Sequence, residues 1–274
     1  MTDTIINPNR ALWEKGDFTR LAATMRDSGD ALIATLDVGP GMDVLDLGCG
    51  DGTTALPSAR RGARVLGVDI ASNLVAAGIR RAREAGLDNL HFQQGDASSL
   101  DDLSDGRFDL VVSMFGAMFA PRPFDTAREM VRVTRSGGRI VMGNWIPGDP
   151  TLVARILQIC AAYTPPPPEG FVSPISWGLE DQVNERFGAA GIGRENIACE
   201  RATYTFRYAG PSSAFLSVFR DYYGPTMNAF DAADKDGRRD DLQAELEKLF
   251  ASENRGGADS TEIPATYLKV TVRV

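Results

Sequence analysis

Val44-Leu45-Asp46-Leu47-Gly48-Cys49-Gly50-Asp51-Gly52 is the stretch around which the rest of the chain reads. A short apolar run of strand character ends in glycines at alternate positions. Such glycines let the backbone turn sharply and approach a ligand with no side chain in the way. The next apolar run, Val65-Leu66-Gly67-Val68, ends at Asp69, 19 positions beyond Gly50. A carboxylate there can accept both hydroxyl hydrogens of a ribose. A third run, from Leu90-His91-Phe92, reaches Asp96 in Gln94-Gly95-Asp96-Ala97, where the acid can accept from an exocyclic adenine amine. Asp46, Asp69 and Asp96 thus stand at the carboxyl ends of expected strands, the edge at which open α/β sheets bind ligands.

Working outward, short apolar runs alternate with helical stretches from residue 40 to 146, the signature of βαβ units and a parallel sheet. Thr53 or Thr54 is expected to cap a helix to about Arg61. Ser72 is expected to cap another over Asn73 to Ala85, with Gly86 closing it. Phe108 to Val112 and Arg139 to Met142 read as the fourth and fifth strands, and Gly137-Gly138 as the stop of the helix between them. Beyond residue 147, Leu152 to Tyr163 and Glu180 to Ala190 read as helices. Tyr204, Phe206 and Tyr208, and later Leu268, Val270, Val272 and Val274, keep a two-residue period. Two late strands of that kind predict an antiparallel edge on a parallel sheet. The expected architecture is α/β, Rossmann-like and doubly wound, with a mostly parallel seven-stranded sheet. Residues 1–38 form N-terminal helices closing over the site, and 39–210 with 262–274 form the core, with an excursion at 147–176. Residues 211–261, too long for a plain connection, form an inserted helical cap.

Composition removes several function classes. The 274 residues carry 29 basic and 37 acidic side chains, a net charge of −8, which argues against bulk binding to nucleic-acid backbones. Three widely spaced cysteines give no disulfide framework or CxxC metal knuckle, and one histidine, His91, cannot furnish a histidine-rich metal centre. No metal is expected. The N-terminus lacks the pattern of a signal peptide, and no run approaches the roughly 20 apolar residues of a membrane span. A cytoplasmic protein acting on small molecules, monomer or homodimer, is the expectation.

A glycine loop with a downstream acid also fits NAD-binding proteins. The spacing here is GxGxG, however, with Asp46 two residues before Gly48. So many carboxylates suit a cationic sulfonium carrying an amine better than a pyrophosphate. No Tyr-x-x-x-Lys pair of a reductase is present, and Ser113-Met114-Phe115-Gly116 follows the fourth strand where a nucleic-acid methyltransferase would show DPPY or NPPY.

VLDLGCGDG, GVDIA, QQGDA, FDLVVS and RVTRSGGRI, between Val44 and Trp145, resemble a class I S-adenosylmethionine-dependent methyltransferase of the type-11 group. WEKGDF, SMFGAMFAP, NWIP, PPPPEGFVSPISWG and RDYYGPT extend the resemblance, over nearly the whole chain, to a small-molecule subgroup. Ser136 stands where that family usually has proline. The resemblance implies S-adenosylmethionine as cofactor and S-adenosylhomocysteine as product. It implies that Gly48, Cys49 and Gly50 line the methionine part, with Asp46 fixing the loop. Asp69 would bind ribose, Ile70 pack on adenine, Asp96 and Ala97 hold its edge, and Ser113, Met114 and Phe115 flank the sulfonium. Trp13 would close over the cofactor.

For the acceptor, the aromatic-rich C-terminal third suggests a small apolar or aromatic metabolite. Its candidate contacts are Phe115, Met118, Trp145, Trp177, Phe219 and Tyr223. No dedicated base stands out, and Tyr222, Tyr223 and Asp221 are the candidates. The alternative to methyl transfer at O, N or C is a protein that binds the cofactor without turnover.

Overall fold

A computed structural model describes residues 9–274. The first eight residues, part of the expected N-terminal segment, lie outside the described residues. Short helices α1 (Asn9–Glu14) and α2 (Thr19–Ala22), a 3-10 turn and α3 (Arg26–Ala34) precede β1 (Asp43–Leu47). There follow α4 (Ala55–Arg60), β2 (Arg64–Asp69), α5 (Ser72–Glu84), β3 (Leu90–Gln94), β4 (Phe108–Met114), α6 (Pro123–Val133) and β5 (Thr134–Trp145). The C-terminal half comprises α7 (Leu152–Ala161), α8 (Glu180–Ala189), β6 (Ile197–Tyr208), α9 (Ser212–Tyr222), α10 (Gly224–Lys235), α11 (Arg239–Glu253) and β7 (Thr261–Arg273).

The seven strands are ordered β3-β2-β1-β4-β5-β7-β6, and β7 runs antiparallel to both its neighbours. Valines and leucines of the inner strands alternate between two packed faces, because successive side chains of a strand point oppositely. Val44, Leu110, Val112 and Val141 pack with Ile33 of α3, Leu36 in the turn after it and Leu56 of α4. Leu45, Leu47, Val111 and Met142 belong to the other layer, with Met130 of α6, Ile156 of α7 and Phe187 of α8. Helices α9, α10 and α11, inserted between β6 and β7, continue that second layer through Phe215, Phe219, Phe230 and Phe250. The strand order reverses between β1 and β4, which opens a crevice at their carboxyl ends.

Several local expectations are corrected. Thr54 takes the N-cap position of α4, but its hydroxyl donates 2.6 Å to Asp46 Oδ2 instead of capping the helix. Ser72 is the first residue of α5, not its cap, and its hydroxyl donates to Glu14 Oε1 at 2.8 Å. Gly137-Gly138 do not stop α6, which ends at Val133; they lie inside β5. There β4 and β5 slip register, Phe108 facing Thr134 while Leu110 faces Arg139, and Gly137 at φ +79° accommodates the bulge. Strand β6 starts at Ile197, earlier than its clean alternation, because its exposed first half shows no apolar period.

Candidate active site

The loops after β1, β2, β3 and β4 line one deep cleft, roofed by α1 and α2. Gly48, Cys49 and Gly50 form its floor next to Asp69, Ile70, Asp96 and Ala97, and Met114 and Phe115 stand opposite. Gly50 has φ +56° and open space where a side chain would project. Gly48, at φ +68°, is pressed against the loop after β4: a β-carbon on it would lie 2.6 Å from the Gly116 α-carbon. The glycines therefore serve two needs, closeness to a ligand at Gly50 and closeness to another loop at Gly48.

Asp69 is buried at the end of β2. Its Oδ2 accepts from Gly50 N–H at 2.8 Å and its Oδ1 from Ala71 N–H at 2.9 Å. Burial raises its carboxyl, and these backbone donors pull in the opposite direction. Asp96 Oδ1 accepts from Ser98 N–H at 2.8 Å in the turn after β3. Asp46 lies behind the floor, 2% exposed, and its carboxyl is pushed up to about 7 by burial. Cys49 is equally shut away. Burial first, then the surrounding carboxylates, push its thiol far up, so the residue is in place for its backbone and not its reactivity.

Two anchors were not legible in the sequence. Asp51, also on the cleft wall and 1% exposed, pairs with Arg26 of α3 and Arg81 of α5, each at 3.1 Å. Glu14 of α1 accepts from the backbone and hydroxyl of Ser72 at 3.1 and 2.8 Å, and these bonds hold its carboxyl below the ordinary range. Both ties join segments tens of residues apart, and no periodicity signals them. They hold the N-terminal roof to the glycine loop and to α5.

Phe115 is one of two non-glycine described residues with positive φ, at +60°. Its ring stacks on Trp145 at 3.8 Å and 3°, while its N–H donates to Gly143 at 2.9 Å. A bulky residue held in that region at a cleft is a strained position that the surrounding packing maintains. Phe115, Trp13, Phe18, Met25 and Phe119 also wall a second, small inner chamber beneath α9, completed by residues that include Trp145, Phe206, Phe219 and Tyr223. Burial raises the Tyr223 phenol, so it stays protonated.

The expected contacts are thus only partly brought together. Trp13, Gly48, Cys49, Gly50, Asp69, Ile70, Asp96, Ala97, Met114 and Phe115 line the cleft, and Trp145, Phe219 and Tyr223 line the chamber. Asp46 and Ser113 do neither. Ser113 is buried, donating to Leu47 O at 2.7 Å and accepting from Ala117 N–H at 2.9 Å, so it braces the loop instead of flanking a ligand. Met118 is in the core behind the wall. Trp177 is outside both spaces, stacked under the Arg186 guanidinium at 4.5 Å, because the segment after the prolines folds over α8. Tyr222 faces neither space, and Asp221 is exposed and paired with Arg220 at 2.8 Å. His91 is exposed on β3. Phe18, Met25, Phe119 and Tyr204 join the walls from segments whose apolar residues read as ordinary core.

The residues fit a nucleoside cofactor with a charged amino-acid tail. Open space beside Gly50, a buried strand-end carboxylate at Asp69 and apolar walls at Ile70 and Leu74 are what such a ligand needs. Among the described residues no cluster of His, Cys, Asp or Glu could hold a metal ion, and no helix is long and apolar enough to cross a membrane.

The methyltransferase domain family matches residues 45–142. The uncharacterized protein Rv1403c of Mycobacterium tuberculosis is 33% identical over 226 residues, 81% of this chain and 79% of that one. Nocamycin O-methyltransferase of Saccharothrix syringae is 38% identical over 120 residues, 42% of each chain. Among solved structures, the YcgJ protein from Bacillus subtilis has a TM-score of 0.58 at 21% identity, with 90% of this chain and 98% of that one covered, a likeness of fold. With this sheet order, this cleft and these relatives, the chain belongs to the class I S-adenosylmethionine-dependent methyltransferases of the methyltransferase domain family.

Proposed function

We propose that this protein moves a methyl group from S-adenosylmethionine to a small apolar or aromatic acceptor held against the aromatic wall between the cleft and the inner chamber. The observation that carries this reading is the shared wall: Phe115, Trp13 and Phe119 each face both the cofactor cleft and an aromatic chamber under the cap. The similarity to nocamycin O-methyltransferase supports a small-molecule acceptor. When bound, the cofactor supplies an electrophilic methyl group on a sulfonium.

The chain's own residues supply placement and dryness. The Gly48–Gly50 backbone receives the amino-acid part, Asp69 the ribose hydroxyls, and Asp96 with Ala97 the adenine edge, while Ile70 packs on its face. Trp13 and Phe119, in contact at 4.7 Å, close the roof against water. Alignment of two reactants in such a site is worth roughly 7–11 kcal/mol of barrier, which reduces the need for a strong acid or base. Among the described residues Tyr223 is the one acid–base candidate that reaches the chamber, and its raised phenol makes it no base.

The test is calorimetry with S-adenosylhomocysteine and NADH, followed by transfer of a labelled methyl group into a panel of aromatic acceptors. Micromolar binding of the nucleoside and labelling of at least one acceptor are expected. Binding of NADH alone would overturn the assignment. Nucleoside binding with no labelling in any extract would favour the second reading, a cofactor-binding protein without turnover.

A further inference from the structure

An S-adenosyl nucleoside ends in an ammonium and a carboxylate, and the cleft provides for the two unequally. Its floor is rich in acceptors. Gly48 and Cys49 spend their N–H groups on Val68 O at 2.7 and 3.1 Å, Gly50 on Asp69 Oδ2 at 2.8 Å and Gly52 on Cys49 O at 2.9 Å. The loop therefore turns carbonyl oxygens to a ligand, with Asp69 beside it and Asp46 behind, which suits the ammonium.

The carboxylate has no such provision. No lysine, arginine or histidine stands among the described residues that line the cleft, and the sequence of residues 1–8 contains none. Arg26 and Arg81 are both held on Asp51, each at 3.1 Å. Neutral donors must then meet the carboxylate, because burying it unpaired is costly. Thr54 has given its hydroxyl to Asp46, and Asn9 its amide to Phe119 O. The Trp13 side chain belongs to the wall shared with the inner chamber.

Tyr204 of β6 supplies what is missing. It lines the cleft but not the chamber, it is 1% exposed, and no described residue takes up its hydroxyl in a hydrogen bond. Burial foremost, then Tyr267 and Asp46, raise its phenol, so the proton stays in place to be donated. Phe115 and Tyr267 hold the ring edge-on at 5.2 and 6.0 Å. The hydroxyl end is placed by α3: a β-carbon on Gly29 would lie 2.9 Å from it and 2.7 Å from the Thr53 carbonyl oxygen. Gly29 thus lets the helix bring this hydroxyl beside Thr53, the residue that follows the glycine loop and also lines the cleft.

We propose that the Tyr204 hydroxyl, with Thr53 beside it, anchors the cofactor's carboxylate, so that an edge strand and not a cation fixes the amino-acid tail. This rests on the reading of the cleft as an S-adenosylmethionine site. The hydroxyl donates to one carboxylate oxygen, a charge-assisted bond about twice as strong as a neutral one. Tyr204 holds the tail and moves no proton. Strand β6 lies outside residues 45–142, which match the methyltransferase domain family, so this contact comes from the chain's C-terminal part.

The experiment is calorimetry on the full chain with three nucleosides. They are S-adenosylhomocysteine, its decarboxylated analogue, which keeps the amine, and its deaminated analogue, which keeps the carboxylate. The wild type should bind the decarboxylated analogue at least fivefold more weakly than S-adenosylhomocysteine. Tyr204→Phe, which preserves the ring packing, should weaken S-adenosylhomocysteine and the deaminated analogue at least fivefold. It should leave the decarboxylated analogue within twofold. Arg26→Gln, which loosens Asp51, should weaken all three alike. An equal loss for all three in Tyr204→Phe would mean a packing role, and a loss confined to the two amine-bearing nucleosides would mean an ammonium contact. Either result, unchanged S-adenosylhomocysteine affinity, or a carboxylate-selective loss in Arg26→Gln overturns this proposal alone. Should Tyr204→Phe not fold, the wild-type comparison decides, and equal affinity for S-adenosylhomocysteine and its decarboxylated analogue overturns the proposal. Failure of the wild type to bind any of the three overturns the cofactor assignment and this proposal with it.

Discussion

Gly48 and Gly116 stand back to back, the tip of the loop after β1 against the tip of the loop after β4, with 2.6 Å between a β-carbon built on the first and the α-carbon of the second. Neither loop is free to yield. Gly48 N–H donates to Val68 O at 2.7 Å, and the residue before Gly116 donates to Gly143 O at 2.9 Å. Gly116→Ala is therefore expected to lower stability by about 1–3 kcal/mol and to weaken cofactor binding with it. Thermal melts of the variant with and without S-adenosylhomocysteine check this, and an unchanged Tm would show that the loops part easily.

Asp69 anchors Gly50 and Ala71 through its two oxygens while facing the cleft. Asp69→Ala should weaken S-adenosylhomocysteine by about 1–3 kcal/mol in calorimetry, since ribose hydroxyls lose their acceptor and the loop loses its tie. Asp69→Asn, which retains one acceptor oxygen, should fall between. Wild-type affinity in both variants would move the ribose elsewhere.

Asp46 makes stability depend on pH. Burial foremost, and the Asp69 charge in addition, lift its carboxyl from 3.8 to about 7, against the donating Thr54 hydroxyl. The fold therefore favours the protonated form. That contribution is complete below about pH 3.8 and drains away as pH rises through about 7. In the free protein, Asp46→Asn should gain on the wild type by on the order of 2–4 kcal/mol across this window. Urea unfolding of both proteins, at about pH 4 and about pH 8, measures the difference, and parallel curves would contradict it.

Trp177 separates packing from recognition. It is 1% exposed, stacked under Arg186 and 5.9 Å from the Phe187 ring, with no face toward either cavity. Trp177→Ala should cost about 3–5 kcal/mol of stability in denaturant unfolding. The ranking of acceptors by the surviving folded protein should stay as in the wild type. Phe219→Ala, which opens the chamber wall, should change that ranking. A Trp177 variant that re-ranks acceptors without losing stability would reverse this assignment.

The order of elements, the parallel core, the antiparallel edge and the acids at the strand ends are written in local patterns. Asp69 terminates a continuous apolar run, Asp96 stands two residues past the end of β3, and the loop glycines sit at fixed offsets from β1. Strand period and strand-end chemistry are short-range properties, so a linear chain displays them. Other features depend on which distant segments meet. Asp51 finds Arg26 and Arg81, Glu14 finds Ser72, Gly48 meets Gly116, and Phe115 is held at +60° against Trp145. The same aromatic spacing describes a packed tryptophan at 177 and a chamber wall at Phe219, because periodicity tells which side of a helix is buried and not what it is buried against. That distinction arises only when α9, the roof helices and the strand tips are folded onto one another.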